Sequence, residues 1–94
     1  MTQQFAVLVQ IHGRVQRVFF RAFVRGRARE LGLVGYASNK IDGITVEVLA
    51  EGERIKLEKL IGYLNTGPSG AKVDSLEIEW IDPSGHFNDF DIKI

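Results

Sequence analysis

The chain has no cysteine, only two prolines, one tryptophan and one methionine, and no acidic residue before Glu30. Without cysteine there can be no disulfide framework, no thiolate-held zinc or iron–sulfur cluster and no thiol nucleophile. That usage fits a reducing compartment, and a cytoplasmic location is the expectation. No apolar run approaches the roughly 20 residues that a membrane-spanning helix needs. Met1-Thr2-Gln3-Gln4 lacks the basic segment and apolar stretch of a secretory signal, so neither a leader nor membrane attachment is expected. Both prolines fall at turn signals, Gly67-Pro68 and Pro83-Ser84-Gly85. What remains is 94 residues, 45% hydrophobic and 26% charged. That composition suits one globular domain over 1–94, with no linker, repeat or low-complexity stretch.

The net charge of zero hides a segregation. Arg14, Arg17, Arg21, Arg25, Arg27 and Arg29 precede every acid, whereas twelve acids face six bases from Glu30 onward. The asymmetry suits an anionic ligand near the basic part, and it equally suits a solvated helical face paired with acidic neighbours.

Hydrophobic periodicity organises the chain. Phe5, Val7, Val9 and Ile11 alternate as in a strand over 5–12, followed by a loop from Gly13 to Val18. A helix is expected over 19–31, where Phe20, Val24, Ala28 and Leu31 form an apolar stripe and Gly32 stops it. Short strands at 34–39 and 44–50 flank the turn cue Asp42-Gly43. Leu57, Leu60, Ile61 and Leu64 recur at helical spacing, and Gly67-Pro68 ends that helix. A strand over 71–81 changes apolar phase between Val73 and Leu76, which reads as a bulge near Ser75. Phe90, Ile92 and Ile94 alternate in a last short strand. The order β-α-β-β-α-β, plus a terminal strand, predicts an α+β ferredoxin-like split βαβ sandwich. It would have an antiparallel sheet of four to five strands with two helices on one face.

The start of the first helix is unusual. Gln16-Arg17-Val18-Phe19-Phe20-Arg21 offers no Ser, Thr, Asp or Asn cap and sets an arginine near the positive end of the helix dipole. Unaided, this is unfavourable by a few tenths to about 1 kcal/mol. With a phosphate or carboxylate present, the free N–H groups and Arg21 would both find a partner. Asn39 closes the strand beside the Asp42-Gly43 turn, where its amide either satisfies turn backbone or faces the loop before the first helix and holds a water. His12 and His86 are isolated in sequence and are expected to be structural, with no metal site. Trp80, Phe19 and Phe20 are expected in the core, and Gly26 is expected to let its helix approach the sheet.

Gly13-Arg14-Val15-Gln16-Arg17-Val18-Phe19-Phe20-Arg21 resembles the acylphosphatase signature G-x-V-Q-G-V-x-F-R. The resemblance continues through Leu31-Gly32-Leu33-Val34-Gly35-Tyr36, Asn39, Asp42-Gly43, Val46-Glu47-Val48, Gly67-Pro68 and Ala71-Lys72-Val73. It implies hydrolysis of the carboxyl–phosphate anhydride of small acyl phosphates, without metal or organic cofactor. By the same resemblance, the backbone of Val15, Gln16, Arg17, Val18, Phe19 and Phe20 would wrap the phosphoryl group. Arg21 would bind its oxygens, and Asn39 would orient the attacking water. The implied partners are an acyl phosphate and inorganic phosphate, with no nucleic acid or membrane, and the chain acting as a monomer.

Arg17 departs from the signature, which has glycine there. If glycine serves a left-handed backbone angle, arginine costs on the order of 1–2 kcal/mol or reshapes the loop. Alternatively its side chain swings outward, or adds charge at the mouth of the site. A weakly active or inactive phosphate-binding module is therefore the main alternative, and an RNA-binding domain on the same fold is the lesser one.

Overall fold

The computed structural model describes residues 3–93. Ile94, expected in the last strand, and the first two residues lie outside that range. In chain order the elements are β1 (Phe5–Arg14), α1 (Phe20–Glu30), β2 (Val34–Asn39), β3 (Thr45–Gly52), α2 (Arg54–Thr66), β4 (Lys72–Ile81) and β5 (Phe90–Lys93). The five strands form one sheet in the order β4-β1-β3-β2-β5.

Register places the apolar alternation on one face. Val7, Val9 and Ile11 stand opposite Ala50, Val48 and Val46, and Ala37 stands opposite Val48. These residues share one buried core with Phe20, Val24 and Ala28 of α1 and Leu57, Leu60 and Leu64 of α2. Both helices therefore cover the same side of the sheet, as the expected ferredoxin-like arrangement requires. Burying a Val, Leu or Phe side chain there contributes about 1.5–3 kcal/mol each.

The phase change in β4 is a bulge. His12 pairs with Ser75 and Gly13 with Val73, so Asp74 is the extra residue and Val73 and Leu76 both reach the helix side. At that point Gly13 has φ 136, and a Cβ on it would sit 2.2 Å from the Lys72 carbonyl oxygen. Only glycine lets β4 approach so closely as β1 ends.

The sheet is mixed rather than wholly antiparallel, because β5 runs parallel to β2, with Gly35 opposite Phe90 and Ala37 opposite Ile92. The returning chain after β4 crosses to the far edge instead of forming a hairpin. That crossing is anchored by Glu51, a buried carboxylate that accepts hydrogen bonds from Ser84 N (3.0 Å), Ser84 Oγ (2.9 Å) and Gly85 N (3.1 Å).

Two residues expected in the core are not there. Trp80 is 38% exposed at the edge strand, where the Arg54 guanidinium lies 4.3 Å from its ring centroid. β4 is an outer strand, so a helix-side position on it is only partly covered. Phe19 is 86% exposed, because α1 begins one residue later than expected and leaves it as the cap. Gly26 lies on the solvent side with nothing near its Cβ position, so it does not mediate close packing.

Candidate functional site

The loop between β1 and α1 carries the only non-glycine residues with positive φ among the described residues, Arg17 (φ 62) and Phe19 (φ 58). Left-handed residues in such a loop let successive N–H groups turn toward one centre, as in an anion-binding nest. Among the described residues, the backbone N–H groups of residues 15–19 donate no hydrogen bond, and the first α1 bond runs from Phe23 N to Phe19 O at 3.0 Å. Phe19 caps α1 without a side-chain bond, and no acid lies in the first turn. α2 also begins without a side-chain cap, so the missing cap alone is not diagnostic. What distinguishes α1 is the curled loop in front of it and the concavity that both enclose.

That concavity, of about 370 Å³, is lined by Val15, Arg17, Phe19, Phe20, Arg21, Ala22, Asn39 and Ile92. Asn39 is brought there by register. It stands opposite Val46 on β3, hence on the helix side of the sheet, at the end of β2 nearest the loop. Beyond it the turn is shaped by Asp42, whose carboxylate accepts from Ile44 N and Thr45 N at 2.9 Å each and from Thr45 Oγ1 at 2.6 Å. These bonds, the Thr45 hydroxyl first, hold Asp42 below the usual carboxylate range. Asn39 is left free of the turn: its side-chain amide has no hydrogen-bond partner among the described residues, and its backbone carbonyl oxygen accepts from Ser38 Oγ.

Arg21 lies in the first turn of α1, and its Nη1 donates to the Lys93 carbonyl oxygen at 3.2 Å. β5 thus steadies the guanidinium from one side while the concavity lies on the other.

Of the residues expected at the site, Val15, Arg17, Phe19, Phe20, Arg21 and Asn39 converge on the concavity. Gln16 and Val18 do not line it. The Gln16 side chain turns the other way and donates to the carbonyls of Lys40 and Thr45, while Val18 packs against the core. Ile92 and the Lys93 carbonyl were not foreseen, because they reach the site only through the parallel β2–β5 pairing. The alternation of Phe90 and Ile92 signalled a strand, and nothing local specified its partner.

His12 is tied into the opposite face of the sheet, with Nδ1 2.9 Å from Thr45 Oγ1 and Nε2 2.6 Å from Glu77 Oε1. Among the described residues, no three His, Asp or Glu side chains gather as a metal-ligand set.

An α+β domain whose first helix and preceding loop present free amides, beside an arginine and an unpaired carboxamide, can receive a compact oxyanion. The family model for acylphosphatase matches residues 7–92. An acylphosphatase of Dehalococcoides mccartyi is 43% identical over 83 residues, covering 88% of this chain and 91% of that protein. Among solved structures, the Bacillus subtilis acylphosphatase superposes with a TM-score of 0.91 at 30% identity, covering 96% of this chain and 99% of the other. An acylphosphatase from Coxiella burnetii gives 0.90 at 36% identity, covering 99% and 100%. The chain belongs to the acylphosphatase family, and it is an enzyme of that kind.

Proposed function

We propose that the chain hydrolyses small acyl phosphates to a carboxylate and inorganic phosphate by in-line attack of water at phosphorus. The observation that carries this reading is the convergence of Arg21, Asn39 and the loop residues Val15, Arg17, Phe19 and Phe20 on one concavity.

The phosphoryl oxygens occupy the nest of free amides and the N-terminus of α1, where partial positive charge is already oriented and needs no rearrangement. The Arg21 guanidinium adds a planar, permanently charged donor for oxygens that gain charge as the bond to the leaving group stretches. Asn39 accepts from the attacking water through its carbonyl oxygen and donates through its NH₂ to a phosphoryl oxygen, which places the water in line. The water oxygen bonds to phosphorus, the bond from phosphorus to the bridging acyl oxygen breaks, and the electron pair leaves with the carboxylate. The water proton passes to a phosphoryl oxygen, giving inorganic phosphate. Because a carboxylate is a good leaving group, this route asks for no general acid and no cofactor. The solvent side of the sheet carries Glu47, Glu77 and Glu79, a poor surface for the sugar–phosphate backbone of RNA.

The test is hydrolysis of benzoyl phosphate in excess EDTA by the wild type and by Asn39→Ala and Arg21→Gln. Expected is metal-independent turnover that falls about 100-fold or more in each variant, the usual scale for losing one transition-state donor. A folded wild type with no turnover above the uncatalysed rate would leave the phosphate-binding module as the better reading.

A further inference from the structure

We propose that Arg17 recognises a second negative charge on the acyl portion of the substrate, so that the site favours acyl phosphates whose acyl group is itself anionic. The proposal rests on the phosphate site described above and extends it outward.

Arg17 keeps a left-handed backbone, φ 62, at a position that glycine would occupy without strain. Backbone strain retained at a site lining is a reason to ask what its side chain does there. The side chain is exposed and lines the concavity together with Arg21. Three arginines of this chain are matched with acids, Arg27 with Glu30, Arg29 with Asp89 and Arg54 with Glu58, and of those that are not, Arg17 and Arg21 line the concavity. Arg17 has no ion-pair or hydrogen-bond partner among the described residues, and no acid lines the concavity. One phosphoryl group is already served by Arg21, the α1 terminus and the loop amides. Arg17 precedes that terminus and lies on the rim, beside the exposed ring of Phe19. An acyl chain leaving the phosphate passes this rim on its way to solvent. A carboxylate or phosphoryl group on that chain would meet a guanidinium that no acid among the described residues neutralises.

Direct binding tests this without turnover. Calorimetric Kd values at low ionic strength would be compared for butylphosphonate, phosphonobutyrate and butylene bisphosphonate, using the wild type, Arg17→Lys and Arg17→Gly. Glycine suits the backbone angle, so that variant is expected to fold. The wild type should bind the two dianchored ligands about tenfold more tightly than butylphosphonate, as expected for one added charge pair at a partly solvated rim. The preference should persist in Arg17→Lys, vanish in Arg17→Gly and shrink with added salt. The carboxylated and bisphosphonate ligands report separately whether a carboxylate or a phosphoryl group is the better second anion. Equal Kd values for all three ligands in the wild type, or a preference untouched by Arg17→Gly, would overturn the assignment to Arg17 while leaving the phosphate site intact. Failure of all three ligands to bind would overturn the phosphate site, and this proposal with it.

Discussion

The side-chain amide of Gln16 donates to the carbonyl oxygen of Thr45 at 2.9 Å, and its nitrogen also lies 2.7 Å from the Lys40 carbonyl oxygen. The bond pins the loop before α1 to the turn that follows Asn39. Thr45 is itself fixed, through Asp42 at its N–H and hydroxyl and through His12 at its hydroxyl. Two elements far apart in sequence, one bearing Arg21 and the other Asn39, are thereby held in register across the concavity.

Gln16→Ala removes both bonds at a half-buried site. At a net worth of about 1 kcal/mol each, stability should fall by about 1–2 kcal/mol, read from urea unfolding with an unchanged m value. Turnover of benzoyl phosphate by the folded variant should fall severalfold, because Arg21 and Asn39 lose their mutual reference. Gln16→Glu should be worse than alanine, since it sets a carboxylate against two carbonyl oxygens. A Gln16→Glu protein as stable as the wild type would show that the tie carries no weight.

Arg17→Gly should be neutral to stabilising by up to about 1.6 kcal/mol. Relief of a left-handed angle is worth about 1–2 kcal/mol, against about 0.4–1 kcal/mol for the greater freedom of the unfolded chain. Phe19→Gly should behave alike, as its φ of 58 is equally strained and its ring is exposed. Arg17→Val should destabilise, because a β-branched side chain tolerates that region poorly. Thermal melts of the three variants decide the matter, and loss of stability in both glycine variants would argue against backbone strain here.

Glu51 makes the acid limb of stability testable. Burial alone would push its carboxyl up, but the hydrogen bonds from Ser84 and Gly85 prevail and hold it below the usual glutamate range. A depressed folded value means a stabilising contribution fully present above the unfolded pKa, about 4.3, and lost as pH falls through the folded one. Glu51→Gln should therefore cost about 1.5–3 kcal/mol at neutral pH, the range for hydrogen bonds to a charged group. The difference from wild type should narrow as pH drops below about 4. A gap constant from pH 7 to pH 3 would contradict this account.

Much of the fold was legible because its signals are local. The 3.6-residue spacing of Leu57, Leu60 and Leu64 marked α2, and all three are buried. The period-two run in β1 marked its core face, and even the bulge showed in the three-residue step from Val73 to Leu76. Arg21 and Asn39 were legible through the resemblance to a family signature, and Asp42 through its turn chemistry. The misses share one cause. Phe19 and Trp80 are as apolar as core residues, but exposure depends on where a helix begins and on which strand is outermost. Gln16 gave no hint that its side chain would bond carbonyls 24 and 29 residues away.

By itself the sequence determined the elements, the buried face of each and the residue types available for anion chemistry, since these follow from side-chain periodicity and backbone preference. It also carried the conflict at Arg17, a bulky residue where a motif has glycine. Only the tertiary structure decided that the loop keeps the left-handed angle regardless, with the side chain on the rim. It likewise decided that β5 pairs parallel to β2 and brings Ile92 and the Lys93 carbonyl to Arg21. Strand order and loop curvature depend on contacts distant in sequence. Their free energy is realised only when the whole sheet has formed, so no local pattern encodes them.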